Sequence, residues 1–290
     1  MQAEITRRTM LKAGATTALT VAAGCGSGDD EFGGYCISVT SYSFREFTAD
    51  ETVAKIAALG IANVDLWPSH MATLGQGKRD RSAKPYHLNP NAWSSFQSAL
   101  QSHGMHAPSY GVLPFSADHE ANRRIFAWAK EQGFETFMAD PSPDSFDSLE
   151  RLVEEFGLTV GIHNHGPEDE NYGRIEQVVK VLNDRHPLIG TCVDLGHFFR
   201  AGDDPVDALK ALQGRIYGIH IKDVVRGVPR EQERVVIGEG EMDIPAILRT
   251  LREIKYDGYI TYEHENNWDN PAPYIARSLE ALRQMFSELG

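Results

Sequence analysis

The sequence predicts a single-domain α/β protein, a (β/α)8 barrel of the TIM type. From Tyr35 onward, apolar β-branched segments alternate with helix-length stretches, and eight such units fit the chain. Glycines close several helices just ahead of the next strand: Leu59-Gly60, His103-Gly104, Gln132-Gly133 and Phe156-Gly157. The strand segments are apolar without strict alternation, as in a parallel sheet covered by helices on its outer face.

Taken in order, strands are expected over 35–41, 61–67, 105–110, 134–139, 158–163, 188–194, 215–221 and 258–263. The helices between and after them are expected over 50–59, 90–103, 118–132, 144–156, 173–184, 204–212, 243–254 and 271–288. Asp50, Asn89-Pro90 and Asp204-Pro205 supply helix-starting residues. A doubly wound open sheet would call for a glycine-rich phosphate loop after the first strand, and Ser41-Tyr42-Ser43-Phe44-Arg45 is not one. The long connections 68–89 and 223–242 follow strands on the presumed catalytic face and are expected to roof the site.

The first 25 residues read as targeting sequence. Thr6-Arg7-Arg8-Thr9-Met10-Leu11-Lys12 carries a twin arginine ahead of a mildly apolar stretch from Ala13 to Ala23, the layout of a bacterial Tat signal. Val21-Ala22-Ala23-Gly24-Cys25 has the pattern of a lipoprotein cleavage site with Cys25 as the lipidated residue, and 26–34 reads as a flexible linker. Export to the periplasm or cell envelope is the expectation, with membrane attachment through the lipid alone. Cys36 and Cys192 would then be buried free thiols, since two cysteines make no disulfide framework.

The whole chain has 290 residues, 41% of them apolar, and a formal charge of −13. That charge disfavours a nucleic-acid partner, because the phosphate backbone would repel it.

Four late segments place metal-type ligands at strand ends: His163-Asn164-His165, Asp194-Leu195-Gly196-His197, His220-Ile221-Lys222-Asp223 and Tyr262-Glu263-His264-Glu265. In a closed parallel barrel the C-terminal strand ends converge on one axis. His163, Asp194, His220 and Glu263 would thus share one divalent ion. Two imidazoles with two carboxylates suit Mn²⁺, Zn²⁺, Co²⁺ or Fe²⁺ better than Mg²⁺ or Ca²⁺, which prefer oxygen shells.

Around this ion, His197 and His165 are expected near substrate or as partners of the ligands. Lys222 is expected either as a cation for a developing oxyanion or in a salt bridge to Asp223 or Glu239. Glu265 is expected to orient a ligand. Asp65 and Trp67 end the second strand and would contact substrate, with Trp67 as an apolar wall; Tyr42, Phe44 and Tyr110 are core residues by default and the candidates to extend it.

These motifs resemble the xylose-isomerase-like TIM barrels, the sugar phosphate isomerase/epimerase group, over Tyr35 to the C-terminus. The resemblance includes Ile237-Gly238-Glu239-Gly240, which puts Glu239 among the substrate-binding candidates. It implies metal ligands at His163, Asp194, His220 and Glu263, with His197 near substrate. Many members of the group carry a glutamate at the strand-five ligand position, where this chain has His163, so an epimerisation shared by two facing glutamates is not expected.

The expected activity is a divalent-metal-dependent sugar isomerase or epimerase that abstracts a proton next to a carbonyl through a metal-stabilised enediolate. Glu263 would be the base, with Lys222 and His197 as catalytic partners. A dehydratase or hydratase acting on a keto-sugar uses the same intermediate and is the alternative. A non-catalytic, metal-containing carbohydrate-binding lipoprotein is the second. Export favours a free sugar or keto-sugar over a phosphosugar.

Overall fold

The computed structural model describes residues 29–71 and 90–289. The proposed signal, Cys25, the start of the proposed linker and most of the connection 68–89 lie outside these residues.

Eight parallel strands close into one barrel, β1 (Cys36–Thr40), β2 (Asn63–Leu66), β3 (His106–Leu113), β4 (Thr136–Ala139), β5 (Thr159–His163), β6 (Ile189–Asp194), β7 (Ile216–Ile221) and β8 (Tyr259–Tyr262). Each lies within one to three residues of its expected position, and β1 pairs with β8 to close the ring. Outside them run α1 (Ala49–Ala58), α2 (Pro90–His103), α3 (His119–Gln132), α4 (Phe146–Phe156) and α5 (Ile175–Leu182). The outer layer is completed by α6 (Leu195–Arg200), α7 (Pro205–Leu212), α8 (Ile244–Glu253) and α9 (Ala272–Glu288).

Local chemistry explains the boundaries. Thr48 and Glu51 form a reciprocal capping box that starts α1, while Asp118 caps α3, Asp204 caps α7 and Asp243 caps α8. Gly133 and Gly157 end α3 and α4 in the left-handed region, which a side chain would resist. The strand residues bury both faces, one against the helices and one inside the barrel, so β5 and β6 are buried throughout. Leu149 and Leu152 of α4 and Leu248 and Leu251 of α8 are fully buried in the layer between helices and strands.

Two expectations are corrected and two features are added. Within the proposed linker, residues Asp29–Phe32 form a 3-10 turn, and Phe32 packs edge-on against Phe286 of α9. Cys36 is disulfide-bonded, and among the described residues Cys192 is the buried free thiol. The short helix α6, which no periodicity announced, follows β6 without a loop because Asp194 serves as its N-cap. The connection 223–242 is also organised: Asp223–Val224 pairs antiparallel with Arg234–Val235.

Among the described residues, no helix is long and apolar enough to cross a membrane.

Candidate functional site

Barrel register brings the four expected ligands together. Asp194 and His220 are direct partners across β6 and β7, His163 lies opposite Cys192, and the Glu263 amide donates to the Ile221 carbonyl at 3.1 Å. One ligand atom from each of His163, Asp194, His220 and Glu263 falls within 4.8 Å of the others. His163 Nε2 and His220 Nδ1 each lie 3.9 Å from Asp194 Oδ2, and His220 Nδ1 lies 3.1 Å from Glu263 Oε2.

These residues fit a divalent ion on their own chemistry. Asp194 divides its carboxylate: Oδ1 accepts from the His197 amide at 2.8 Å, and buried Oδ2 accepts no hydrogen bond. The Lys222 ammonium is 2.9 Å from that Oδ2, but off the hydrogen-bond direction. Asn164 fixes the Asp194 backbone by bonding both its N–H and its C=O at 2.9 Å. Cys192 also lies near His163 and His220, but burial raises its thiol pKa well above the ordinary value, so it stays protonated and is a poor ligand.

His220 is held from both ends, with Nε2 3.0 Å from Asp65 Oδ2 and Nδ1 facing Glu263. Burial opposes the imidazolium here, but Glu263 and Asp65 outweigh it and lift the pKa to about 10 in the metal-free protein. When the Nδ1 proton leaves, Asp65 retains the one on Nε2, so the Nδ1 lone pair faces the other ligands. Burial pushes His163 the other way, below the ordinary histidine range, and His165 and His220 add to the effect. It is a neutral imidazole.

Lys222 has its ammonium buried among three carboxylates: Glu265 at 2.5 Å, Glu263 at 2.7 Å and Asp194 at 2.9 Å. Gly196 makes room for it, since a Cβ there would come within 2.3 Å of Lys222 Cγ. Despite burial, Lys222 and His220 hold the Glu263 pKa well below the ordinary value.

Above His163, His220 and Glu263 opens a cavity of about 220 Å³, sized for a single small ring. His163, His220, Glu263, His197, His165, Glu265, Trp67 and Tyr42 line it, together with Thr40, Gly111, Val112 and Arg230. Trp67 meets Tyr42 edge-on at 5.1 Å, and Tyr42 meets Trp268 at 5.6 Å, forming an aromatic side wall.

The expected substrate contacts at His165, His197 and Trp67 therefore face the cavity, and Tyr42 extends the wall. The others are corrected. Asp65 is fully buried one layer below Trp67, bonded to His220 and Ser109, and orients a ligand instead of meeting substrate. Phe44 and Tyr110 keep their default core role and do not extend the wall, Tyr110 packing on Trp128 and Phe134. Glu239 pairs with Arg277 at the surface and is not among the lining residues. Lys222 does not line the cavity either; it is the counter-ion beneath it. Glu265, expected only to orient, lines the wall and is also paired with Arg234 at 3.4 Å.

Asp223 and the glycine pair prove to be scaffold. The Asp223 carboxylate accepts from the amides of Val224, Gly238, Gly240 and Met242, and a Cβ on Gly240 would collide with it.

An eight-stranded parallel barrel that gathers polar side chains at its C-terminal strand ends defines a class, the (β/α)8 barrels. Residues 53–285 match the xylose isomerase-like TIM barrel family, and the chain belongs to it. Inosose dehydratase of Clostridium beijerinckii is 26% identical over 159 residues, 49% of this chain and 52% of that protein. The chain thus spans about half the length of this curated relative. Two solved structures share the fold. D-allulose 3-epimerase from Methylomonas sp. has TM-score 0.67 and 15% identity, covering 87% of this chain and 98% of that one. The 3-keto-D-glucoside 4-epimerase from E. coli has TM-score 0.64 and 18% identity, covering 86% and 99%.

Proposed function

We propose that the protein is a divalent-metal-dependent isomerase or epimerase acting on a free sugar or keto-sugar, by proton abstraction next to its carbonyl. The observation that carries this reading is the convergence of His163, Asp194, His220 and Glu263, three of which, His163, His220 and Glu263, line a cavity with an aromatic wall. Those four side chains would hold the ion, which when bound supplies a Lewis acid for a carbonyl oxygen and the hydroxyl beside it.

The chain's own groups divide the remaining work. Trp67 and Tyr42 present an apolar face to the C–H side of a sugar ring and exclude water from it. Lys222 and His220 keep Glu263 ionised, the protonation state a base needs, and both bond its Oε2. Oε1 is thereby the oxygen available to take the proton. His197 lines the cavity and would offer a ring nitrogen to a substrate oxygen.

A dehydratase acting on a keto-sugar is the second reading. Two observations favour it: similarity to inosose dehydratase, and His163 in place of a second glutamate facing Glu263. Loss of a β-hydroxyl from the same deprotonated carbon separates it from the first reading.

Metal-loaded protein incubated with free sugars and 3-keto-sugars in D₂O, followed by NMR, tests both. Deuterium incorporation next to the carbonyl supports the proposal, and a new alkene or enone signal selects the dehydratase. Sugar binding with no exchange and no product refutes both, and leaves a carbohydrate-binding protein.

We further propose export through the Tat signal at 1–25 and an envelope location, with Cys25 either lipidated or the disulfide partner of Cys36. The mass of the mature protein tests the anchor. A diacylglycerol adduct on Cys25 supports it, and a Cys25 engaged in a disulfide refutes it.

A further inference from the structure

Arg200 closes α6, three residues after His197, and its guanidinium is almost wholly buried. Its Nε donates to Glu233 at 3.0 Å and its Nη2 to Glu168 at 3.0 Å. With the fork pinned on those two carboxylates, Nη1 points at His197 Nδ1 from 3.1 Å, with a longer contact of 3.4 Å to the His165 carbonyl. A guanidinium only donates and is never deprotonated in this range. The His197 Nδ1 must therefore accept, so in the neutral ring the proton resides on Nε2. The surroundings of Nε2 agree, because Asp194 Oδ2 and Glu265 Oε1 each lie 3.9 Å from it and both attract an N–H.

Gly166 belongs to the same arrangement. It follows His165 with φ +98°, and a Cβ there would come within 2.8 Å of Arg200 Nη1. The loop after β5 thus leaves space for the guanidinium beside the histidine.

We propose that Arg200 is a positioning residue that holds His197 in the neutral Nε2–H tautomer, so that His197 meets substrate only as a hydrogen-bond donor. The inference rests on the cavity being the substrate site of the proposed function, although the tautomer itself does not. Nε2 has no lone pair to offer, so His197 is neither a fifth metal ligand nor a base. The ligand atom it recognises is an oxygen carrying lone pairs, such as a carbonyl or hydroxyl oxygen whose negative charge grows in the reaction. No proton leaves the ring in this role. The interaction strengthens with charge on the oxygen, which is a catalytic use that leaves the histidine chemically unchanged.

The test is long-range ¹H–¹⁵N NMR of the imidazole rings in ¹⁵N-labelled protein at neutral pH, metal-free and again zinc-loaded. His197→Gln assigns the signals. The expected spectrum shows Nδ1 at the unprotonated position and Nε2 at the protonated position. Arg200→Met is expected to populate the Nδ1–H tautomer, and Gly166→Ala to shift the same signals by displacing the guanidinium without removing its charge. A protonated Nδ1 in the unaltered protein would overturn the proposal. So would a tautomer unchanged in a folded Arg200→Met protein. His197→Gln, which keeps a donor near the Nε2 position, is expected to retain sugar binding within about tenfold, whereas His197→Leu loses it by more. If the tautomer is as stated but no sugar is bound or exchanged, the functional reading fails and the positioning role stands.

Discussion

Metal binding should release close to one proton per ion, and the structure says which one. In the metal-free site His220 carries both ring protons, with a pKa of about 10 set against burial by Glu263 and Asp65. A ligand must present a lone pair, so the Nδ1 proton has to leave when the ion arrives. His163 contributes none, because burial and its histidine neighbours already keep it neutral. With one proton displaced, apparent affinity rises about tenfold per pH unit below that pKa, or about 100-fold between pH 6 and pH 8. That corresponds to about 2.7 kcal/mol. The sign is fixed: a pKa above the working range means that acid competes with metal and alkali favours it. Isothermal titration with Zn²⁺ or Mn²⁺ in two buffers of different ionisation enthalpy reads the proton directly. Affinity flat from pH 6 to pH 8, with no buffer dependence, would refute the assignment of the His220 protons and with it the role of Asp65.

Further expectations concern single side chains. Asp65→Asn should weaken metal affinity by about 10–100-fold while leaving sugar-wall contacts intact, read by the same titration. Trp67→Ala should raise the KM or Kd for a sugar by about tenfold or less and spare the metal content, as expected for loss of one aromatic face. Asp223→Ala leaves four backbone amides without their acceptor and should cost about 3 kcal/mol or more in a denaturant titration, with Asp223→Asn less damaging. Leu152→Ala, at a fully buried position of α4, should cost about 2–5 kcal/mol without changing metal affinity.

The convergence of the four candidate ligands was legible in the sequence because barrel closure alone brings C-terminal strand ends together, whatever the side-chain details. Depth along the barrel was not legible. Asp65 and Trp67 share parity on the second strand and its extension, and parity cannot tell the rim from the layer beneath. Trp67 stands at the rim, whereas Asp65 lies under His220. The same ambiguity affected Glu263 and Glu265, both of which face the cavity. Lys222 was read either as reaching substrate or as salt-bridged to Asp223 or Glu239; it forms ion pairs, but with Asp194, Glu263 and Glu265. Arg200 went unread because α6 is six residues long, too short to show a helical period, and its start depends on a cap by the ligand Asp194 itself. Asp223 and Gly240 carry a motif whose purpose is backbone satisfaction, which spacing alone does not distinguish from binding.

The central claim is that His163, Asp194, His220 and Glu263 together hold one divalent ion. Elemental analysis of the purified protein, beside His163→Ala, Asp194→Ala, His220→Ala and Glu263→Ala proteins shown to be folded, tests it most directly. The account predicts about one equivalent of metal in the unaltered protein and a marked loss in each variant. Full metal content in folded His163→Ala and Glu263→Ala proteins would contradict it.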